Sequence, residues 1–368
     1  MTPVEWLQFL LSYSVQAATI IGVAYGLDHW AHRASTVQSR VWTACYVTLL
    51  GVLTAGLLLP RIEWLHPWRC LSSSTVLVAA EVESVLGNLL LTIWLLGAAV
   101  VVTRCAIEFV RVQRFIASCP TATAEELSRI RSLVPEDRFK QGSRTIEVRV
   151  GPEDMGPFCY QFHQPFIFVT RALLLGDDTE LRHVLDHELT HLRTEHPLQL
   201  CLQKMAQTVL WFHPLVWMAA GRASLVREFV CDDAATHCPS STASYLRTLL
   251  RIVEHRNRSR SELLTIGRSV GEVRLRAERL VQMIGMGDQK VGVAPVLGVA
   301  IAGIAASQLW LPTNPLDSSH SRQSPWPTWS AATLHALNVS VADYQPFDER
   351  TQIHELREQC LSEVREQR

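Results

Sequence analysis

Four long apolar stretches dominate the pattern of hydrophobic and polar positions along the chain. They cover about residues 6–27, 41–59, 85–102 and 291–311. Each approaches the ~20 residues that a helix needs to cross about 30 Å of hydrocarbon. A buried core helix is the alternative for any one of them, but four in one chain favour membrane spans. The pattern predicts a multi-pass α-helical membrane protein, with three spans in residues 1–103 and a fourth at 291–311.

The segment between the third and fourth spans, residues 104–290, has the mixed pattern of a folded domain. Thr123 and Glu126 have the spacing of a capping box at a helix start. Residues 145–150 alternate polar and apolar side chains, and residues 166–169 are uniformly apolar, so two strands are expected. The segment is long enough for its own core, and we expect an α+β domain inserted between the spans.

A helix is predicted after the second strand. Its apolar residues recur at helical spacing from Leu181 to Leu192. Asp178 or Thr179 is the expected cap, and Pro197 is the expected end.

The charges of the chain constrain its orientation and its partners. The formal net charge is −1, which argues against a nucleic-acid binder. Arginines flank both ends of residues 104–290, so the positive-inside rule predicts that this domain is cytoplasmic. The N-terminus and residues 312–368 are then expected outside the membrane.

Within the predicted helix lies an H-E-x-x-H motif, formed by His187, Glu188 and His191. Residues four apart on a helix share a face, so both imidazoles can bind one metal ion. Glu188 is placed to act as a general base on a metal-bound water. Zn²⁺ suits this set, with a third protein ligand and one open position. The alternative is two surface histidines beside a solvated glutamate.

A third ligand is expected on a later helical stretch. Glu228 and Asp232 are four residues apart, so Glu228 could complete a His-His-Glu site while Asp232 orients a ligand histidine. The competing interpretation of Glu228 is a salt bridge with Arg222 or Arg227. Other candidate ligands by residue type are Glu195, His196, His213, Cys231 and His237. Spacing alone favours Glu228 without excluding these.

Three sequence elements in order resemble the BlaR/MecR-type family of bacterial membrane metallopeptidases. They are residues 187–193, the Trp-Phe-x-Pro element at 211–217, and the E-x-x-C-D element at 228–232. The resemblance implies three spans, a zinc metallopeptidase domain and a fourth span in the bacterial inner membrane. It implies that Glu228 is the third zinc ligand. It also implies cytoplasmic proteolysis that inactivates a transcriptional repressor, often with self-cleavage.

Two departures from that family pattern affect the expectations. Family members commonly carry aspartate where His196 stands and asparagine where His213 stands, so hydrogen bonding near the metal is expected to differ. Antibiotic sensors of the family also carry a penicillin-binding domain with an S-x-x-K motif. Residues 312–368 contain no lysine, so we expect no β-lactam sensing through that motif here.

The expected function is therefore a membrane-embedded zinc metalloendopeptidase that transduces a signal by cleaving a cytosolic regulatory protein. One alternative is a catalytically silent receptor or scaffold with a structural zinc site. Another is a prenyl-protein-type membrane metallopeptidase, which shares H-E-x-x-H and a downstream E-x-x-x-D.

The expected partners are a protein substrate, the lipid bilayer and, through the tail, a second copy of the chain. Residues 347–368 have an amphipathic helical pattern that suits either a solvated helix or a dimerising one. On the predicted topology only Cys70 and Cys360 lie outside, where a disulfide between them is permitted.

Overall fold

The computed structural model describes residues 3–58, 73–141, 143–153, 156–161, 164–236, 239–259, 263–283 and 292–311. The predicted Cys70–Cys360 pair, His237 and the predicted tail helix lie outside these residues. The chain is mostly helical, with one small sheet next to the H-E-x-x-H helix.

Three helices are long and apolar enough to cross a membrane, as the sequence predicts for the first three spans. They are α1 (Pro3–Trp30), α2 (Ser35–Leu58) and α3 (Ser73–Ser118). The third helix is much longer than the predicted span, because it continues without a break through the arginine-rich residues after position 102.

The described part of the predicted fourth span is a shorter helix, α11 (Ala294–Ala306). Its 13 residues rise about 20 Å, less than the hydrocarbon thickness. The chain then turns and packs on α1, where the Gln16 amide donates to Leu309 O at 2.9 Å and Leu311 N donates to Ser12 Oγ at 3.1 Å. A full crossing by this segment stays a prediction.

The domain between α3 and α11 begins with α4 (Ala124–Leu133), which has the predicted capping box between Thr123 and Glu126. A 3₁₀ turn (Glu136–Phe139) leads into the two-residue strands β1 (Lys140–Gln141) and β2 (Arg144–Thr145). The main strands are β3 (Glu147–Gly151), β4 (Phe158–Gln161) and β5 (Pro165–Thr170).

The three main strands form a sheet of order β3-β5-β4. Strand β5 is central and all six of its residues are buried, as its apolar run predicts. It pairs in parallel with β3 and antiparallel with β4, a strand that the sequence pattern did not indicate.

The remaining elements are helical. They are α5 (Arg171–Leu175), α6 (Asp178–Arg193), α7 (His196–Val209), α8 (Pro214–Ala235), α9 (Pro239–Ser259) and α10 (Leu263–Met283).

The two largest hydrophobic clusters among the described residues contain most of these elements. One lies between the sheet, α4 and α6, with Ile167, Leu185 and Leu189 among its fully buried residues. The other joins α1, α2 and α11 to α7 and α8, and includes Ile20, Leu49 and Val226. Helix α8 therefore packs among the apolar helices of the predicted membrane bundle, while α6 packs on the sheet.

Candidate metal centre

Helix α6 carries the H-E-x-x-H motif and is fixed at both ends. Its cap is Asp177, one residue before the predicted positions, and the Asp177 carboxylate accepts from the backbone amides of Thr179 and Glu180. The helix ends at Arg193, four residues before the predicted end at Pro197. Pro197 lies instead in the first turn of α7. The junction residue Glu195 adopts a left-handed conformation with φ 56°.

Three predicted metal donors converge between α6 and α8. The Nε2 atoms of His187 and His191 are 3.3 Å apart. Glu228 places Oε2 at 3.4 Å from His187 Nε2 and Oε1 at 3.5 Å from His191 Nε2. Donor atoms of a tetrahedral Zn²⁺ with bonds of about 2.0–2.1 Å lie about 3.3–3.4 Å apart. The three separations therefore fit the ion.

The hydrogen bonds of His187 fix which of its nitrogens faces the cluster. Tyr245 donates its only hydroxyl proton to Asp232 Oδ1 at 2.6 Å. The Tyr245 oxygen lies 3.0 Å from His187 Nδ1, so it accepts from Nδ1–H. The lone pair of His187 is then on Nε2, pointing at Glu228 and His191.

The expectation that Asp232 directly orients a ligand histidine is modified by this arrangement. Asp232 Oδ1 is 3.5 Å from His187 Nδ1, and the Tyr245 hydroxyl contacts both atoms at hydrogen-bond distance. Arg276 in turn holds Asp232 with two hydrogen bonds of 2.5 and 2.9 Å. Neither Tyr245 nor Arg276 was identified from the sequence, because both lie on helices distant in sequence and in no recognisable motif.

His191 has a different partner for its second nitrogen. His191 Nδ1 is 2.8 Å from Nδ1 of His196, the first residue of α7. If His191 donates from Nδ1, its Nε2 lone pair also faces Glu228. His196, which is 3% exposed, then carries its proton on Nε2, an atom with no hydrogen-bond partner among the described residues.

With these protonation states, two imidazole lone pairs and a carboxylate point at one another over less than 4 Å. This arrangement is repulsive by itself and is stabilised by a cation at its centre. The donor chemistry thus fits a divalent metal as well as the distances do.

The pKa values reflect this concentration of charge. Burial tends to raise the pKa of Glu228, but its contacts with His187 and His191 and the positive charge of Arg276 hold that pKa well below its usual value. Arg276 Nη1 lies 3.0 Å from Glu228 Oε2. Burial lowers the pKa of His191 to about 4, so its imidazole is neutral and free to bind a metal at physiological pH.

Glu188 lies in the same buried region but makes a different contact. Glu188 is 8% exposed, and its carboxylate lies beside the Cys159 thiol on β4. Burial raises the pKa of Glu188 above that of an ordinary glutamate. A carboxylate with a raised pKa is a better proton acceptor, as a general base requires.

Comparison with known proteins bears on this centre. The profile of the BlaR1 peptidase M56 family matches residues 70–277, more than half of the chain. The chain belongs to this family. The chain is also 27% identical, over 146 residues, to "Regulatory protein BlaR1" of Bacillus licheniformis. That alignment covers 39% of this chain and 23% of the relative, so the chain spans under a quarter of the relative's length.

Membership in the M56 family makes the chain a member of a group of zinc-dependent metallopeptidases, and its apolar helices make it a membrane protein. Its match includes α3, the sheet and helices α4 to α9, together with most of α10. All three converging donors, as well as Tyr245 and Arg276, fall within the matched residues.

His213 and Cys231, two other candidate ligands, differ in their position relative to His187 and His191. His213 is at the start of α8, 3.3 Å from Ser14 O on α1. Cys231 is fully buried, and its Sγ lies within 4.8 Å of a ring nitrogen of both His187 and His191. The Cys231 thiol is 3.7 Å from His196 Nδ1, and the same Nδ1 atom faces His191. The two histidines therefore lie next to two further donors, the Glu228 carboxylate and the Cys231 thiol.

Proposed function

We propose that the chain is a membrane-bound zinc metalloendopeptidase that transduces a signal by cleaving a cytosolic regulatory protein such as a transcriptional repressor. The observation that carries the proposal is the convergence of His187, His191 and Glu228 within 3.5 Å, next to a buried Glu188. The similar Bacillus licheniformis protein is named as a regulatory protein, which supports the regulatory part of the proposal.

In this proposal His187, His191 and Glu228 would hold Zn²⁺, which when bound would lower the pKa of a water molecule and polarise the carbonyl of the scissile peptide bond. Glu188 accepts the proton of the attacking water on its carboxylate and passes it to the leaving amine. The Cys159 thiol packs beside the Glu188 carboxylate. Tyr245 and His196 hold the two imidazoles with Nε2 towards the donor cluster.

Strand β4 is suited to align the substrate. It contributes Cys159 next to Glu188, and in the described sheet it has a strand neighbour on one side only, β5. An extended peptide that pairs with the free side of β4 would form main-chain hydrogen bonds along its length. This places a peptide bond beside Glu188 without a requirement for one particular side chain.

The catalytic assignment is tested by comparing the cytosolic proteins of cells that carry the wild type or Glu188→Gln. The glutamine keeps the shape of the side chain but cannot accept the proton. We expect new protein fragments with the wild type and with Glu125→Gln, an exposed control on α4, and none with Glu188→Gln. The zinc content of all three purified proteins should be the same.

Equal fragment patterns for the wild type and Glu188→Gln would overturn the assignment. No fragments from any of them, together with a full complement of zinc, would favour the silent receptor with a structural metal site. Fragments confined to prenylated membrane proteins would favour a prenyl-protein-type peptidase.

A further inference from the structure

We propose that α7 and α8 form a re-entrant hairpin that enters the bilayer from the side of the metal centre, with one face in contact with lipid acyl chains. The hairpin comprises residues 196–235, and its tip is residues 209–213, between the two helices. The inference concerns the membrane topology of the chain and does not depend on peptidase activity.

The tip lies beside the middle of two predicted membrane helices. Trp94 on α3 donates its indole N–H to Val209 O at 3.0 Å. His213 Nε2 lies 3.3 Å from Ser14 O on α1. A methyl group added to Gly97 on α3 would overlap the Trp211 ring, so the tip also packs closely against that helix.

The depth of the tip follows from the position of its contacts along α1. The apolar segment of α1 runs from Glu5 to Trp30. Asp28, near the end on the metal-centre side, is paired with Arg222 of α8 at 2.8 Å. Ser14 is fourteen residues earlier, or about 21 Å along a helix. A tip at this level lies roughly two-thirds of the way across about 30 Å of hydrocarbon.

Three carbonyl groups of the tip have the protein partners that a hydrocarbon environment requires. Unpaired carbonyls cost several kcal/mol there, so irregular backbone is tolerated only when its polar groups find protein partners. Trp94 binds Val209 O, the Trp217 indole donates to Trp211 O at 2.8 Å, and His213 N donates to Leu210 O at 2.9 Å. Two of these three donors are tryptophan side chains. In contact with water, the carbonyl groups would not need them, because water would donate the same hydrogen bonds.

The hairpin has a polar face towards the bundle and an apolar face towards the outside, as a segment in contact with lipid requires. The polar side chains Gln203, Gln207 and Arg227 are buried against the bundle, and Arg227 donates to Gln203 at 3.0 Å. The outward face exposes large apolar side chains, namely Leu198 (55%), Met205 (51%), Phe212 (38%), Trp217 (48%) and Met218 (59%).

One charged side chain on the hairpin is exposed, Lys204 on α7. It lies on the metal-centre side of Val209, and its aliphatic stem lets the ammonium extend towards the membrane surface. Acyl chains are therefore the occupant that fits the exposed face, since these residues lie level with the lipid-facing part of α3.

The proposal is tested with nitroxide spin labels on the full-length protein in liposomes, after the reactive native cysteines have been replaced by serine. Labels are placed at Met218→Cys and, separately, at Met205→Cys. Leu96→Cys, on the exposed face of α3, is the lipid-facing control. Glu125→Cys on α4 is the water-facing control. Collision rates with oxygen, which partitions into lipid, and with a water-soluble nickel chelate are measured at each site.

We expect both hairpin labels to match the Leu96 label, with high oxygen and low nickel collision rates. High nickel collision rates at both positions, like those of the Glu125 label, would overturn the proposal. So would low collision rates with both reagents accompanied by spin–spin broadening, because that result would place a second copy of the chain on this face. The zinc content of each labelled protein reports whether it has kept its fold.

Discussion

Replacing Tyr245 by phenylalanine should weaken metal binding while leaving the fold intact. The hydroxyl joins His187 Nδ1 at 3.0 Å to Asp232 Oδ1 at 2.6 Å, and it also accepts from Arg276 Nη2 at 3.2 Å. Without it, Nδ1–H of His187 loses its acceptor in a buried site. Phenylalanine fills the same space, so packing around the ring is kept.

The expected magnitude follows from the hydrogen bonds removed. Loss of a partner that orients a metal-binding histidine typically costs 10- to 100-fold in affinity, or about 1.4–2.7 kcal/mol. A buried donor left unpaired costs about 1–3 kcal/mol, which is the same range. Because Asp232 remains bound to Arg276 by two hydrogen bonds, we expect the lower half of this range.

The assay is zinc competition with a chromophoric chelator, using the full-length protein in lipid nanodiscs at one pH. The matched control is Tyr46→Phe, since Tyr46 is also fully buried and its hydroxyl has no hydrogen-bond partner among the described residues. We expect a weaker zinc affinity for Tyr245→Phe and no change for Tyr46→Phe. Equal affinities for both variants would refute the role given to the hydroxyl.

Three further predictions follow from the contacts of the same region. His196→Ala should weaken zinc binding about 10-fold or more, because His191 loses the partner of its Nδ1. His196→Asp should retain zinc affinity, since a carboxylate also accepts from that N–H. Equal zinc affinities for the Ala and Asp variants in the same competition assay would contradict this. Asp28→Ala should destabilise the protein by about 1.5–3 kcal/mol, because Asp28 is 3% exposed and accepts from Arg222 and two other side chains. Thermal unfolding in detergent should show a lower melting temperature for this variant. It should show no change for Arg274→Ala, which breaks an exposed pair. Removal of zinc with a chelator should lower the melting temperature of the wild type but not of His191→Ala, and a similar drop in both would show that the stabilising metal binds elsewhere.

Local patterns were sufficient to predict the elements that they encode. The capping box at Thr123, the buried strand at 166–169 and the H-E-x-x-H helix depend on residues close together in sequence, and all three are present. The cap of α6 is Asp177 rather than Asp178 or Thr179. Neighbouring residues that can all cap a helix are distinguished only by where the preceding chain approaches it.

Features set by contacts between distant segments could not be predicted in this way. Strand β4 is four residues long without alternation, and it forms because β5 offers an antiparallel edge. Tyr245 meets His187 across 58 residues, and Arg276 meets Asp232 across 44. Nothing around either residue in sequence marks it as part of the site.

The place of residues 211–220 was similarly open. Their apolar composition suits a bilayer surface or a protein core equally well. The contacts of Val209 and His213 with α3 and α1 are what place this segment within the bundle.

The central claim, that His187, His191 and Glu228 bind one zinc ion, is tested most directly by X-ray absorption of the zinc-loaded protein. We expect about one zinc per chain, with only nitrogen and oxygen neighbours at about 2.0–2.1 Å and the scattering pattern of two imidazoles. A sulfur neighbour at about 2.3 Å would show that Cys231 or Cys159 replaces Glu228. Failure to retain zinc at all would contradict the metal centre itself.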